Sequence, residues 1–133
     1  MTLMFQKEVA QRITAKLGSK AYGRLAVLSN WLCDTSLKFD VPASAFTPPP
    51  KVTSSIVHFV PKIFKQEQPK FETIEKITAQ AFGQRRKMIR SSLKEYREYF
   101  KELDLDETLR AENLSPDDYI RLASFYDTTN KIG

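Results

Sequence analysis

A chain of 133 residues, 41% hydrophobic and 28% charged, has the length and balance of one ordinary globular domain and can bury roughly two-thirds of its unfolded surface. No apolar run approaches the ~20 residues that span a bilayer, and Met1 to Phe5 leads straight into Gln-Lys-Glu without the pattern of a secretory signal. The net charge of +5 is uneven: residues 1–66 carry nine Lys/Arg against three Asp/Glu, residues 84–101 seven against two, and residues 102–133 three against eight. Excesses of this size point to a polyanionic partner that meets some faces and not others. Cys33 is the one cysteine, which excludes an intrachain disulfide or a thiolate-rich zinc site and suits the reducing cytoplasm.

In chain order, Met1 to Phe5 is apolar enough for a buried strand. A core strand with no cap or turn ahead of it reads as a chain whose N-terminal part lies elsewhere. Glu8 to Leu17 spaces Val9, Ile13 and Leu17 four apart, a short helix, and Gly18-Ser19-Lys20 breaks it. Tyr22 to Cys33 is a second helix with Leu25, Leu28 and Leu32 on its apolar face, Ala26 and Trp31 alongside. Ser36 to Val41 alternates Leu37, Phe39 and Val41, a strand with one buried face.

Phe46-Thr-Pro-Pro-Pro-Lys-Val52 follows. Three prolines fix φ and remove three donors, so the segment is expected to be a stiff polyproline II rod between Phe46 and Lys51. It reads either as a connector between strands or as a wall that holds Phe46 beside a base or cofactor. Ser54 to Val60 is a second alternating strand, antiparallel to the first. The single histidine, His58, shares a face with Ile56 and Val60, which suits a partly exposed strand residue. The proline-bounded Pro61 to Pro69 marks a domain boundary, giving segments 1–66 and 67–133.

Beyond it the pattern is helical. Phe71 to Phe82 turns Ile74, Ile77, Ala81 and Phe82 to one side, and Gly83 interrupts. Gln84 to Phe100 spaces Ile89, Leu93, Tyr96 and Phe100 by 4, 3 and 4, which predicts one continuous helix. Leu103 to Leu109 is an acidic turn. Leu114-Ser-Pro-Asp-Asp-Tyr119 carries a cap, a first-turn proline and a capping box, and starts a helix to about Tyr126 with Ile120, Ala123 and Tyr126 inward.

On the helix from Gln84, Arg86, Arg90, Lys94 and Arg97 would form a cationic stripe opposite the apolar one, with Arg85 and Lys87 at its start. Such a line matches a phosphate backbone; charge runs on helices are more often solvated faces, but here only Glu95 and Glu98 offset it. The isolated glycines make no Gly-x-Gly cradle, and one histidine allows neither a Ser/His/Asp set nor a His-rich metal site. A helix-turn-helix DNA binder would need a longer turn than Gly83 provides.

Four stretches carry a family resemblance: Leu3-Met-Phe-Gln-Lys-Glu-Val-Ala-Gln-Arg12, Ala21-Tyr-Gly-Arg-Leu25, Val41-Pro-Ala-Ser-Ala-Phe-Thr-Pro-Pro-Pro-Lys-Val52 and Ala81-Phe-Gly-Gln-Arg-Arg-Lys-Met-Ile-Arg90. The chain resembles the ribosomal-RNA adenine N6,N6-dimethyltransferases, the dimethyladenosine transferases linked to kasugamycin sensitivity, from residue 1 to about 126. The resemblance implies an α/β fold: C-terminal strands and helices of a Rossmann-like class I methyltransferase sheet over 1–66, then a small all-α rRNA-binding domain over 67–133. It implies dimethylation of two adjacent adenosines near the 3′ end of small-subunit rRNA, with S-adenosylmethionine as cofactor of the full-length enzyme.

By this resemblance the family's acidic-Gly-x-Gly loop and Asn-Leu-Pro-Tyr motif are expected to fall before Met1. The isolated chain is therefore expected to bind no cofactor, to hold no catalytic residue and not to methylate. By resemblance Phe46 packs on the extruded adenine, where the plain alternative is a core Phe ending a strand. Arg85, Arg86 and Lys87 lead the candidates for rRNA phosphate contacts, then Arg90 and Lys94, then Lys7, Arg24 and Lys51. The strand Thr2 to Lys7, short of a neighbour, is expected to offer an apolar edge for self-association. The rival readings are a catalytically silent ribosome-binding module and the related large-subunit rRNA methyltransferase of macrolide resistance.

Overall fold

The computed structural model describes residues 1–49 and 51–130; Pro50, third proline of the expected rod, and residues 131–133, the end of the expected helical segment, lie outside the described residues. The elements are β1 (Thr2–Gln6), α1 (Lys7–Ile13), α2 (Arg24–Leu32), β2 (Cys33–Val41), β3 (Ser54–Pro61), α3 (Phe71–Gly83), α4 (Ile89–Ser92), α5 (Arg97–Phe100) and α6 (Pro116–Thr129). Short 3-10 turns lie at Ala43–Ala45, Lys94–Tyr96 and Ala111–Asn113. The fold is α/β. Among the described residues no helix is long and apolar enough to cross a membrane.

The strand order is β1-β3-β2, both pairings antiparallel. The alternation of β3 decides which faces are dry. Ser55, Val57 and Phe59 are buried, and α1 packs Ala10 and Ile13 against Val57 and Phe59, with the Phe5 and Phe59 rings edge-on at 6.0 Å. His58, on the other face beside Ile56 and Val60, is half-exposed and meets Thr2 Oγ1 at 3.0 Å.

Two expectations about the strands are corrected. β1 is an edge strand with one neighbour rather than a buried one, which leaves Leu3 and Met4 exposed. In β2 the register steps from Leu37↔Val57 to Phe39↔Ile56, a bulge at Lys38. Neighbouring residues of β3 point to opposite faces, so the extra residue sends Phe39 to the Ile56 face, where it is 61% exposed, instead of stacking it with Leu37. The proline segment differs too. Residues 46–48 form a bend and the Thr47–Pro48 peptide is cis, in place of a continuous polyproline II rod.

The second core is helical. Ile74, Ile77 and Ala81 of α3 meet Tyr119, Leu122 and Ala123 of α6, together with Ile89, Leu93, Tyr96 and Phe100. Helix α2 joins this core through Ala26, Val27 and Trp31, with Tyr22 just ahead of it, while Leu25 and Leu32 of its expected apolar face lie exposed. Trp31 stacks on Phe71 at 6.2 Å and donates Nε1–H to Gln68 at 3.0 Å. Helix α1 ends at Ile13, so Leu17 is exposed as well. Helix α6 starts as its sequence indicates: Ser115 Oγ accepts from the Asp118 N–H at 3.1 Å, and Asp118 accepts from the Ser115 N–H at 3.0 Å. Its buried face is Tyr119, Leu122 and Ala123, with Ile120 and Tyr126 only partly covered.

The continuous helix expected over 84–100 is broken. Its four apolar residues are all buried, as their spacing requires. The backbone, however, turns at 84–87, and Met88 bridges Arg110 as an isolated antiparallel pair. Ile89 N–H donates to Leu109 O at 2.7 Å and Arg90 N–H to Glu107 O at 3.1 Å. These tertiary bonds replace the i−4 bonds that would have joined the segment into one helix.

Candidate nucleic-acid interface

The break at 84–88 sets the cations. Helix α3 ends at Gly83, and the next turn is closed by Lys87 N–H to Gln84 O at 2.9 Å. Arg85 turns inward: Nη2 donates to Tyr22 O at 2.9 Å and lies 3.5 Å from Glu112, with the guanidinium 5.8 Å from the centre of the Phe82 ring. Pinning Arg85 leaves Arg86 and Lys87 exposed on the outside of the turn.

An open groove of about 790 Å³ runs between α3 and residues 84–97, and Lys87, Arg90, Lys94 and Arg97 all line it. Lys87 takes the place expected for Arg86, which is not among the lining residues. The broken backbone thus gathers four cations around a depression rather than stringing them along one helix face. Arg97 is held by Glu107 through Nε at 2.8 Å and Nη2 at 3.1 Å. That hydrogen bond holds the Glu107 carboxyl below its ordinary range, with Arg90 adding its charge, and raises Arg97 further. Among the described residues Arg86, Lys87, Arg90 and Lys94 make no ion pair within 4.0 Å, so their charge is available to a ligand.

The remaining groove residues were not singled out from sequence. Glu95 is the acidic member; it accepts from Gln80 Nε2 at 2.5 Å and pairs with Lys76 at 3.6 Å. Gln80, Gln84, Ser91 and Ser92 complete the lining. Ser91 and Ser92 sit within the cationic run, and that position was the available signal.

The weaker candidates lie elsewhere in the fold. Arg24 pairs with Glu75 at 3.3 Å and reaches Thr78 Oγ1 at 3.4 Å, joining α2 to α3. Lys7 pairs with Asp40 at 3.0 Å; hydrogen bonds from Ser55 first and then Lys7 hold the Asp40 carboxyl below its ordinary range. Lys51 is exposed and makes no ion pair among the described residues. Phe46 follows the 3-10 turn, half-buried, and among the described residues it belongs to neither core cluster and to no ring pair. It does not line the cationic groove. Among the described residues no group of three or more His, Cys, Asp or Glu is placed to hold a metal ion.

Residues 1–128, almost the whole chain, match the family described as ribosomal RNA adenine dimethylase. The chain belongs to that family. Relatives in it include the ribosomal RNA small subunit methyltransferase A of Xanthobacter autotrophicus, 52% identical over 131 residues that make up 95% of this chain and 45% of that protein. The protein of the same name from Zymomonas mobilis is 49% identical over 133 residues, 96% of this chain and 46% of the relative. This dimethylase-family chain therefore spans about half the length of the curated relatives it matches. In fold it is similar to the crystal structure of a dimethyladenosine transferase from Plasmodium falciparum, with a TM-score of 0.81 at 24% identity over 96% of this chain and 57% of that one. The 23S rRNA methyltransferase ErmE gives 0.62 at 22% identity, over 95% of this chain and 54% of that one.

Proposed function

We propose that this chain is the C-terminal portion of an S-adenosylmethionine-dependent rRNA adenine N6,N6-dimethyltransferase, and that it supplies RNA docking and the wall beside the target base. Residues 1–66 are read as the last strands and helices of a Rossmann-like sheet and residues 67–133 as a helical rRNA-binding domain. The substrate is small-subunit rRNA in the cytoplasm, dimethylated at two adjacent adenosines near its 3′ end. The family membership and the small-subunit relatives support this reading over the large-subunit enzyme.

The observation that carries the docking role is the groove lined by Lys87, Arg90, Lys94 and Arg97. Cations gathered around a depression neutralise several phosphates at once, and releasing the counterions of those phosphates drives binding. Arg86 and Lys87, exposed on the turn, extend the cationic surface, and Arg85 fixes the turn that presents them. Lys51, Lys7 and Arg24 are assigned peripheral contacts. Phe46, outside both cores, is assigned to stack on the target adenine.

S-Adenosylmethionine supplies the methyl group in the full-length enzyme. The residues of this chain do not fit it: Gly18, Gly23 and Gly83 stand singly, no Gly-x-Gly turn exists, and the charged groove is cationic rather than a ribose-accepting acidic slot. The isolated chain is accordingly proposed to be inactive.

The test is small-subunit binding across a salt series. Replacing Lys87, Arg90 and Lys94 together by Ala should weaken binding and reduce the slope of log K against log salt by roughly two to three. An unchanged slope would remove the groove from the interface.

A further inference from the structure

Of the basic triplet 85–87, Arg85 turns inward while Arg86 and Lys87 are exposed. The receptor for its guanidinium has three parts, each held from elsewhere in the chain. The Tyr22 carbonyl belongs to a fully buried residue just ahead of α2, whose hydroxyl donates to Leu114 O at 2.6 Å. Glu112 stands on the 3-10 turn Ala111–Asn113, beside two carbonyls capped by phenols: Leu114 O by Tyr22, and Ala111 O by Tyr119 at 2.7 Å. The Phe82 ring packs against the Tyr22 and Tyr119 rings at 6.1 and 5.7 Å. Its centre lies 5.8 Å from the guanidinium carbon, within the reach of cation–π attraction. Arg24, the first residue of α2, pairs with Glu75 of α3, so this stretch of chain is anchored a second time.

The donors of Arg85 show what it is there to do. Nη2 carries two N–H groups. It donates to Tyr22 O at 2.9 Å and to Glu112 Oε2 at 3.5 Å, so both are taken. A phosphate approaching the exposed part of the side chain would meet the Glu112 carboxylate beside it and be repelled. Swinging the guanidinium out to solvent would break the bond to Tyr22. A carbonyl, a carboxylate and a ring face together suit the planar fork of an arginine, which a lysine does not reproduce.

We propose that Arg85 is a positioning residue rather than a phosphate contact: it ties the turn 84–87 to the chain ahead of α2 and so fixes where Arg86 and Lys87 stand. The inference rests on the docking role assigned to this turn and its groove. It removes Arg85 from the contacts and makes the two outward cations depend on it. Tyr22, ahead of the strands β2 and β3, thereby sets the placement of a surface more than sixty residues further along the chain.

The experiment is a double-mutant cycle. Arg85→Met, which keeps an unbranched stem over Phe82 and removes the guanidinium, is made in the parent chain and in a chain carrying Arg86→Ala and Lys87→Ala. The labelled full chains are titrated with small ribosomal subunits across a salt series and read by fluorescence anisotropy. The chain without the two outward cations should bind more weakly, its slope of log K against log salt smaller by roughly one to two. Arg85→Met should weaken binding roughly three- to ten-fold in the parent chain and less than about two-fold in that background, where no outward cations are left to misplace. A residue that merely holds the domain together would cost the same in both backgrounds, and so would an independent phosphate contact. Arg85→Lys keeps the charge, loses the planar fork and is carried through the same cycle. It should also weaken binding, and it replaces the Met variant if circular dichroism shows that chain to be unfolded.

Equal costs in the two backgrounds would overturn the inference and leave the docking role standing. Full affinity in Arg85→Lys would overturn it too. If the chain carrying Arg86→Ala and Lys87→Ala binds as the parent does, slope included, the docking role of this turn is overturned, and this inference with it.

Discussion

Glu95 shows how a single side chain sets the character of the groove. It stands among Lys87, Arg90, Lys94 and Arg97, tied to Gln80 and Lys76, and it is the acidic residue of the lining. Its carboxylate repels any phosphate that enters, at distances where exposed charges are only partly screened. Glu95→Gln keeps the size of the side chain and removes the repulsion. Nucleic-acid affinity should rise by roughly two- to ten-fold at low salt and the gain should shrink at high salt, as measured by anisotropy titration. An affinity equal to that of the parent chain would mean that Glu95 does not face the bound strand. Arg85 illustrates the opposite situation. The sequence places it with Arg86 and Lys87 as one basic triplet, and nothing in the composition separates a guanidinium that caps the Tyr22 carbonyl from one that faces solvent.

At the scale of elements, legibility followed the range of the forces that shape each segment. Helix α3 and the start of α6 were readable because an apolar period and a capping box act within a few residues. The burial of Ile89, Leu93, Tyr96 and Phe100 was readable for the same reason. The break at Met88 was not, because the carbonyls of Leu109 and Glu107 that cause it lie far along the chain. The bulge at Lys38 escaped likewise: the alternation of Leu37, Phe39 and Val41 is the pattern of a regular strand, and only pairing with β3 reveals the extra residue. Of the candidate site, the cations were legible and their gathering around a groove was not; Ser92 carried only its place within the cationic run, and Gln80 no local signal.

The strand β1 supports a prediction at this same scale. It pairs on one side only, with Leu3 and Met4 exposed, and an edge of that kind templates pairing with a second chain. Self-association through β1 should appear as an apparent mass that climbs with concentration in light scattering. Met4→Lys, which places a charge on the open face, should suppress the climb. A parent chain that stays strictly monomeric at high concentration would rule this mode out.

For the whole molecule, the ionisable groups set limits at both ends of the pH scale. Hydrogen bonds hold Asp40, Asp106 and Glu107 below their ordinary values of 3.8, 3.8 and 4.5. A carboxyl depressed by folding contributes stability that is present above the ordinary value and is lost as pH falls through the folded one. Denaturant midpoints should therefore decline below about pH 4.5, and less so in a chain carrying Asp40→Asn and Glu107→Gln. At the alkaline end, burial pushes the Tyr96 phenol up to about 12 and raises Tyr22 and Tyr119 further. Their contribution is complete below the ordinary 10.0 and is lost as pH climbs through the folded values. Absorbance of phenolate that rises in step with unfolding, rather than before it, is the expected signature. A midpoint independent of pH between 3 and 5 would show that the three carboxylates stabilise nothing.

Helix α2 precedes β2 and β3 in the chain, yet its Ala26, Val27 and Trp31, and Tyr22 ahead of it, are walled in by α3 and α6. The polypeptide is therefore laced rather than beaded. A protease nicking the exposed backbone near Lys65 would leave both fragments clasped, since parting them strips the later helices of their lid and lays the Trp31 indole bare.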